Sequence, residues 1–443
     1  MISSFGALDL LWLAALAALL AGSWLRRPFW ALALCVLGLL GSGAVAILSV
    51  TPGGVFGSLA DVEPAWTALL PLFIAGLCLA LVPQREERPG AAGYALVMLA
   101  TVGALMLAHG PNLTTMALGA LMLCLGAVTL AMGQGEAAKA YPVFAAAAVG
   151  LIAFIYGGLL VHGVSASPGL EARDAHNAVR STPVFWLGAA LAGGGLLVLS
   201  GLLALHAGLT RNSRAIAPVG AALLAVLPAY AVLFALARLL NAWPSVQSIL
   251  NLAMAAAALV MMTAANLCAA RTQDLCALLA YSASAQVGYL LMGLLGPQRA
   301  VILFAFAAFA LAHIGAVAAL AGTGCKRQGD QRGLAGSQPG IAVALLLALL
   351  SLAAIPPLAG FVGRFGLLQQ AHLGGFGWLA LAAAVNSIVS IWYYLRTALP
   401  MFLDLNHSAE RNAGRSVAGW LALLCGVASV GIGIAGTGLA LSA

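Results

Sequence analysis

The chain has 443 residues, of which 63% are apolar and only 7% charged, with a mean hydropathy of +1.05. That balance excludes a soluble domain, and the apolar runs long enough to cross a bilayer (~20 residues) recur from end to end, so the composition describes an all-α membrane protein with many spans. The formal charge of +7 is that of basic loops at a membrane surface and makes no case for nucleic acid.

Fourteen spans are predicted, at 5–25, 28–50, 64–82, 91–109, 112–132, 139–162, 183–209, 215–240, 247–269, 274–295, 300–323, 340–370, 375–403 and 416–441. The first apolar segment has no basic stretch before it and no A-x-A site, so it is expected to be a retained span rather than a signal peptide. Basic residues test the count. The odd-numbered loops hold Arg26, Arg27, Arg85, Arg88, Lys139, Arg211, Arg214, Arg271, Lys326, Arg327, Arg332, Arg411 and Arg415, whereas the even-numbered loops hold Arg173, Arg180 and Arg299. A bias of that size puts the odd loops in the cytoplasm and both termini on the other side. Trp24, Trp30, Trp66, Trp186, Trp243, Trp378 and Trp420 fall near span ends, where interfacial anchors belong. Glycine and alanine crowd the spans and favour close helix–helix contact. The loop 162–183 carries Glu171, Arg173, Asp174 and Arg180 and is expected to be a structured external crossover; no long helix or soluble domain is expected after the last span.

The spans suggest a domain plan. Residues 1–110 hold the first four spans, 91–240 a first set of five, 247–403 a second set of five, and 416–443 a final helix. Two sets of five run in opposite senses because five is odd, which is the inverted-repeat plan of many transporters. The seventh span carries Gly193-Gly194-Gly195 and is expected to break there; its counterpart in the second set is the twelfth, 340–370.

That twelfth span contains the most informative stretch, Ser351–Leu368, SLAAIPPLAGFVGRFGLL. Pro356 and Pro357 each lack a backbone donor and clash with the preceding turn, so the helix must break there, with Gly360 just beyond. Backbone opened inside a membrane survives only against protein or water. A broken helix followed by the cation Arg364 is a candidate ion-handling site. The alternative at this point is a span that stops at Phe361, with Arg364 reaching out to the interface.

Three segments resemble one family. Asp274–Leu294, DLCALLAYSASAQVGYLLMGL, is similar to the tenth span of the antiporter-like subunits of NADH–quinone oxidoreductase, respiratory complex I. Ser351–Leu368 resembles that family's broken twelfth helix, and Asn386–Leu403, with Asn-Ser and Tyr-Tyr-Leu-Arg, its thirteenth. The resemblance is nearest to the N type. It implies a proton-translocating, proton-conducting membrane transporter fold with two inverted five-helix repeats. It also implies other membrane subunits of a complex I-like assembly as partners, in a bacterial inner (plasma) membrane. NADH, FMN, iron–sulfur clusters and quinone would then belong to partner subunits; this chain has no dinucleotide turn, cysteine cluster or haem-type histidine pair. Its cysteines, Cys35, Cys78, Cys124, Cys268, Cys276, Cys325 and Cys425, form no C-x-x-C pair and read as small apolar residues, so no metal is expected.

The resemblance also defines what this chain has lost. Family members carry protons on a glutamate of the fifth span, lysines of the seventh and eighth, and a lysine or glutamate of the twelfth. Aligned by eye, those positions fall here on Leu121, Leu199, Ala229 and Arg364, and the histidine of the tenth-span HVGY signature is Gln286. A buried lysine can exchange protons near neutral pH, but arginine stays protonated in nearly any protein environment. The expectation is a degenerate proton route. Four further groups remain as candidates: His206 at the end of the seventh span, His313 inside the eleventh as a member of a water wire or a packing histidine, and Lys139 with Glu136 as a proton-path pair or a solvated helix end. Arg238 and Arg396 are expected to snorkel. Asp274 is expected to cap the tenth span. The other readings that these residues leave open are a subunit of a multisubunit cation/proton antiporter or membrane-bound hydrogenase, and a scaffold that moves no ions.

Overall fold

The computed structural model describes residues 28–48, 59–79, 91–110, 112–132, 137–165, 183–202, 218–242, 247–403 and 417–441. Within them the chain is helical almost throughout: α1 Pro28–Leu48, α2 Leu59–Leu79, α3 Ala91–His109, α4 Leu113–Met132, α5 Ala137–Ser165, α6 Pro183–Leu197, α7 Pro218–Ala242, α8 Gln247–Arg271, α9 Leu275–Gly293, α10 Arg299–Thr323, α11 Pro339–Leu352, α12 Ala359–Leu373, α13 Gly377–Ala398 and α14 Val417–Leu441. Every predicted span from the second to the fourteenth coincides with one of these helices, and the twelfth is the pair α11 and α12. The first predicted span lies outside the described residues. Ten of the helices are long and apolar enough to cross a membrane, and α1, α2 and α11 add shorter apolar stretches.

Contacts divide the chain into two compact units. The first takes in Met1–Val82, Glu87–His206 and Leu223–Leu250; the second takes in Pro83–Glu86, Ala207–Ala222 and Asn251–Ala443. The helices α7 and α9 are both buried along nearly their whole apolar length.

In the first unit the closest pairs are α3 with α4 and α5 with α6, and glycine is the reason. A Cβ on Gly126 would come within 2.7 Å of the Ala100 nitrogen and the Leu96 oxygen, and one on Gly195 within 2.5 Å of the Gly150 oxygen and the Phe154 nitrogen. Backbones that approach so closely gain van der Waals contact, the force that holds helices together in lipid. The expected break at Gly193-Gly194-Gly195 is therefore corrected. The α-helix runs through those glycines, because Gly195 is what lets α6 lie on α5. The irregularity comes directly after, as a π turn at Val198–Leu202.

In the second unit α10, α11, α12 and α14 pack mutually, and α9 lies against α10 and α12. Asp274 caps α9 as expected, accepting from the Cys276 and Ala277 nitrogens at 2.9 and 3.0 Å. The chain before α9 pairs with the turn after α10: Leu275 donates to the Lys326 carbonyl and Gln328 to that of Gln273. Arg396 lies in the last turn of α13. It stacks 4.7 Å from the Trp392 ring centre and donates to the Thr272 carbonyl at 3.1 Å.

Candidate functional site

The site begins with the broken helix. An unbroken helix would have residue 356 donate to the Leu352 carbonyl, but Pro356 has no N–H to give. The chain turns instead through Ala354, whose φ of 59° lies in the left-handed region, at a cost of about 1–2 kcal/mol for a residue with a Cβ. The helix restarts as α12 after Leu358. At the turn Gly360 is pressed against Ser351: any Cβ there would run into the Ser351 carbonyl oxygen. The Ser351 hydroxyl accepts from the Gly360 nitrogen at 3.3 Å and from Ser429 of α14 at 2.9 Å. Thus α14 closes over the opened backbone.

Arg364 repairs the break. One turn into α12, its Nη2 donates to the orphaned Leu352 carbonyl at 2.8 Å, and the Gln286 amide of α9 donates to the same oxygen at 2.9 Å. Two side chains thus supply the hydrogen bonds that proline withheld, which in lipid would otherwise cost several kcal/mol. Nη1 reaches the hydroxyls of Ser387 and Ser390 on α13 at 3.4 and 3.3 Å, and the guanidinium lies 4.2 Å from the Tyr289 ring centre. Arg364 is only 6% exposed. The alternative in which it reaches the interface is excluded.

The polar web continues past the arginine. Asn266 of α8 donates to the Tyr289 hydroxyl at 3.4 Å and to the Asn386 backbone carbonyl at 3.3 Å, and it accepts from the Tyr393 hydroxyl at 3.2 Å. Asn386 donates to Thr263 at 3.1 Å. The Tyr394 hydroxyl is buried beside Ser282, Gln286 and Tyr393 without an aligned hydrogen bond. The Asn-Ser and Tyr-Tyr-Leu-Arg elements of the thirteenth span thus face the arginine and the asparagine. A small cavity lies against the break, lined by Gln286, Ser351, Gly360 and Arg364 with an apolar wall that includes Leu290 and Leu367.

His313 is buried in α10 with its ring 5.6 Å from that of Phe309; its Nδ1 has no hydrogen-bond partner, and it makes no hydrogen bond to Arg364. Lys139 lies in the first turn of α5, whereas His206 and Glu136 lie outside the described residues. Leu121 is 38% exposed on α4; Leu199 is buried in the π turn and Ala229 is buried in α7. One pair escaped sequence reading. His109, at the end of α3, makes a 2.8 Å hydrogen bond with Tyr230, beside Ala229, and stacks on Phe234. Arg238 donates to the carbonyls of Ala108 and Gly110, at the end of α3. A histidine closing one apolar span and a tyrosine inside another were the available signals.

The transmembrane region described for the NADH:quinone oxidoreductase/Mrp antiporter family matches residues 111–390. The chain belongs to that family. Among its relatives is NADH-quinone oxidoreductase subunit N of Chloroflexus aggregans, 30% identical over 397 residues, which make up 84% of this chain and 81% of the relative. In respiratory complex I from Thermus thermophilus one chain superposes with a TM-score of 0.80 at 25% identity, over 99% of both chains. The fold alone is shared with a chain of the Mrp complex from a Dietzia species, at a TM-score of 0.81 and 18% identity over 99% of this chain and 96% of that one. The antiporter-like family assignment and the all-helical architecture expected from the sequence are both correct. The helix break expected in the twelfth span lies between Leu352 and Ala359.

Proposed function

We propose that the chain works as subunit N in the membrane arm of a bacterial proton-translocating NADH–quinone oxidoreductase, as a non-redox subunit whose own proton route is degenerate. The observation that carries this reading is the bonding of Arg364. The cation at the one retained position is committed to the Leu352 carbonyl, two serines and a tyrosine face. Arginine keeps its proton, so here it serves as a fixed charge and a backbone brace, and no step of proton transfer runs through it. The positions that fall on Leu121, Leu199 and Ala229 offer no titratable atom, so the first unit conducts little or nothing. The subunit's work is then to seal and stiffen the membrane arm beside other membrane subunits, with both termini facing away from the cytoplasm as the basic loops indicate.

The test is Arg364→Ala. Loss of the brace lowers the amount of assembled complex in the membrane, while the proton-to-electron ratio of what does assemble stays at the wild-type value. Normal assembly with a reduced ratio contradicts the proposal.

The likeness to the Mrp chain supports a second reading, a subunit of a cation/proton exchanger. The subunits that co-purify with the chain decide between the two: NADH-oxidising and quinone-binding partners favour the first, and their absence beside exchanger subunits favours the second.

A further inference from the structure

Arg364 carries a full positive charge at any physiological pH, and the described residues bonded to it supply no negative one. Its partners are a carbonyl, two hydroxyls and an aromatic face, all of them dipoles. Among the described residues no carboxylate pairs with it. The sequence explains why: the chain has 12 Asp and Glu residues, and none lies in 251–271, 275–323, 339–403 or 417–441, the segments that build this unit's helices. The broken helix does not supply the missing charge either. The C-terminus of α11, whose Leu352 carbonyl the guanidinium bonds, carries only about half a negative charge and so offsets Arg364 in part. A partly uncompensated positive charge remains in a low-dielectric interior, where a counter-charge is favoured.

The cavity at the break is where such a counter-charge fits. Arg364 lines it, together with the Gln286 amide, the Ser351 hydroxyl and Gly360 of the first turn of α12, and it has room for one water-sized occupant. Water alone would leave the charge unbalanced. We propose that this cavity binds one small monovalent anion, chloride in the cell, with Arg364 as its charged ligand and Gln286 and Ser351 as neutral ones. A fixed cation with a bound halide replaces a titratable group by a static ion pair, and this inference does not depend on whether the subunit conducts protons.

The native assembly, purified and exchanged from chloride into bromide, tests this. Anomalous diffraction from its crystals is expected to show one bromide peak in the cavity, within hydrogen-bonding distance of the Arg364 guanidinium. Uptake of radioactive chloride by the Arg364→Gln assembly, in which the amide still reaches the Leu352 carbonyl, is expected to weaken at least about tenfold at this site, the loss of one charge-assisted bond. The Arg364→Lys assembly is expected to retain the site. Should the glutamine variant fail to assemble, the bromide map of the wild-type protein still decides. A cavity holding only water, a carboxylate of a neighbouring subunit against the guanidinium, or chloride uptake unchanged in Arg364→Gln would overturn the proposal.

Discussion

The two units of this protein share helix-on-helix packing but solve the problem of polar atoms in a membrane in different ways. The first is held by close backbone contact at glycines such as Gly126 and Gly195, with side-chain bonds between helices that include His109 with Tyr230 and Arg238 with the end of α3. The second is threaded by a web that runs from Ser429 through Ser351, Gln286, Arg364 and Tyr289 to Asn266 and Thr263. The difference follows from one local event. A proline break opens backbone, opened backbone demands donors, and those donors need partners of their own. The π turn at Val198–Leu202 in the first unit, by contrast, keeps its backbone helical.

The largest effect that would break this contrast is expected at Gly360. Replacing it with valine drives a side chain into the Ser351 carbonyl oxygen, which cannot retreat without unmaking the break; overpacking of this kind costs about 1–3 kcal/mol or more. Assembled complex on a native gel should be lost, whereas Gly193→Ala in the first unit, where a Cβ meets nothing within 4 Å, should assemble normally.

Asn266→Leu comes next. It removes the donor shared by Tyr289 and Asn386 and leaves the Tyr393 hydroxyl without its acceptor. A loss of about 1–3 kcal/mol is expected for stranding buried polar groups, read as a lower thermal midpoint of the purified assembly. The smallest effect is expected in the first unit. Tyr230→Phe deletes the hydroxyl that bonds His109, an interhelical bond worth about 0.6 kcal/mol in a membrane, and should shift the same midpoint least. If Tyr230→Phe proved more damaging than Asn266→Leu, the assignment of the polar framework to the second unit would be wrong.

Helix positions were legible in the sequence because lipid imposes a simple requirement, an apolar run of fixed minimum length, and the described spans match it closely. The break at Pro356-Pro357 was equally legible, since proline chemistry is local. What Arg364 touches was not legible. Its main acceptor, the Leu352 carbonyl, is a backbone atom that every residue possesses, and only the fold brings it within 2.8 Å. The seventh span misled for a related reason: three glycines weaken a helix in isolation, but tertiary contact with α5 uses Gly195 as a contact surface. The acceptors of Arg238 and Arg396 were not legible either, because the carbonyls that hold them belong to other helices.

The central proposal is that the first unit conducts protons little or not at all. A map of the assembled complex fine enough to show ordered water tests it directly at the positions of Leu121, Leu199 and Ala229. The account predicts dry, side-chain-filled space there, with no hydrogen-bonded chain of waters through the unit. A continuous file of waters linking those positions to either surface would contradict it.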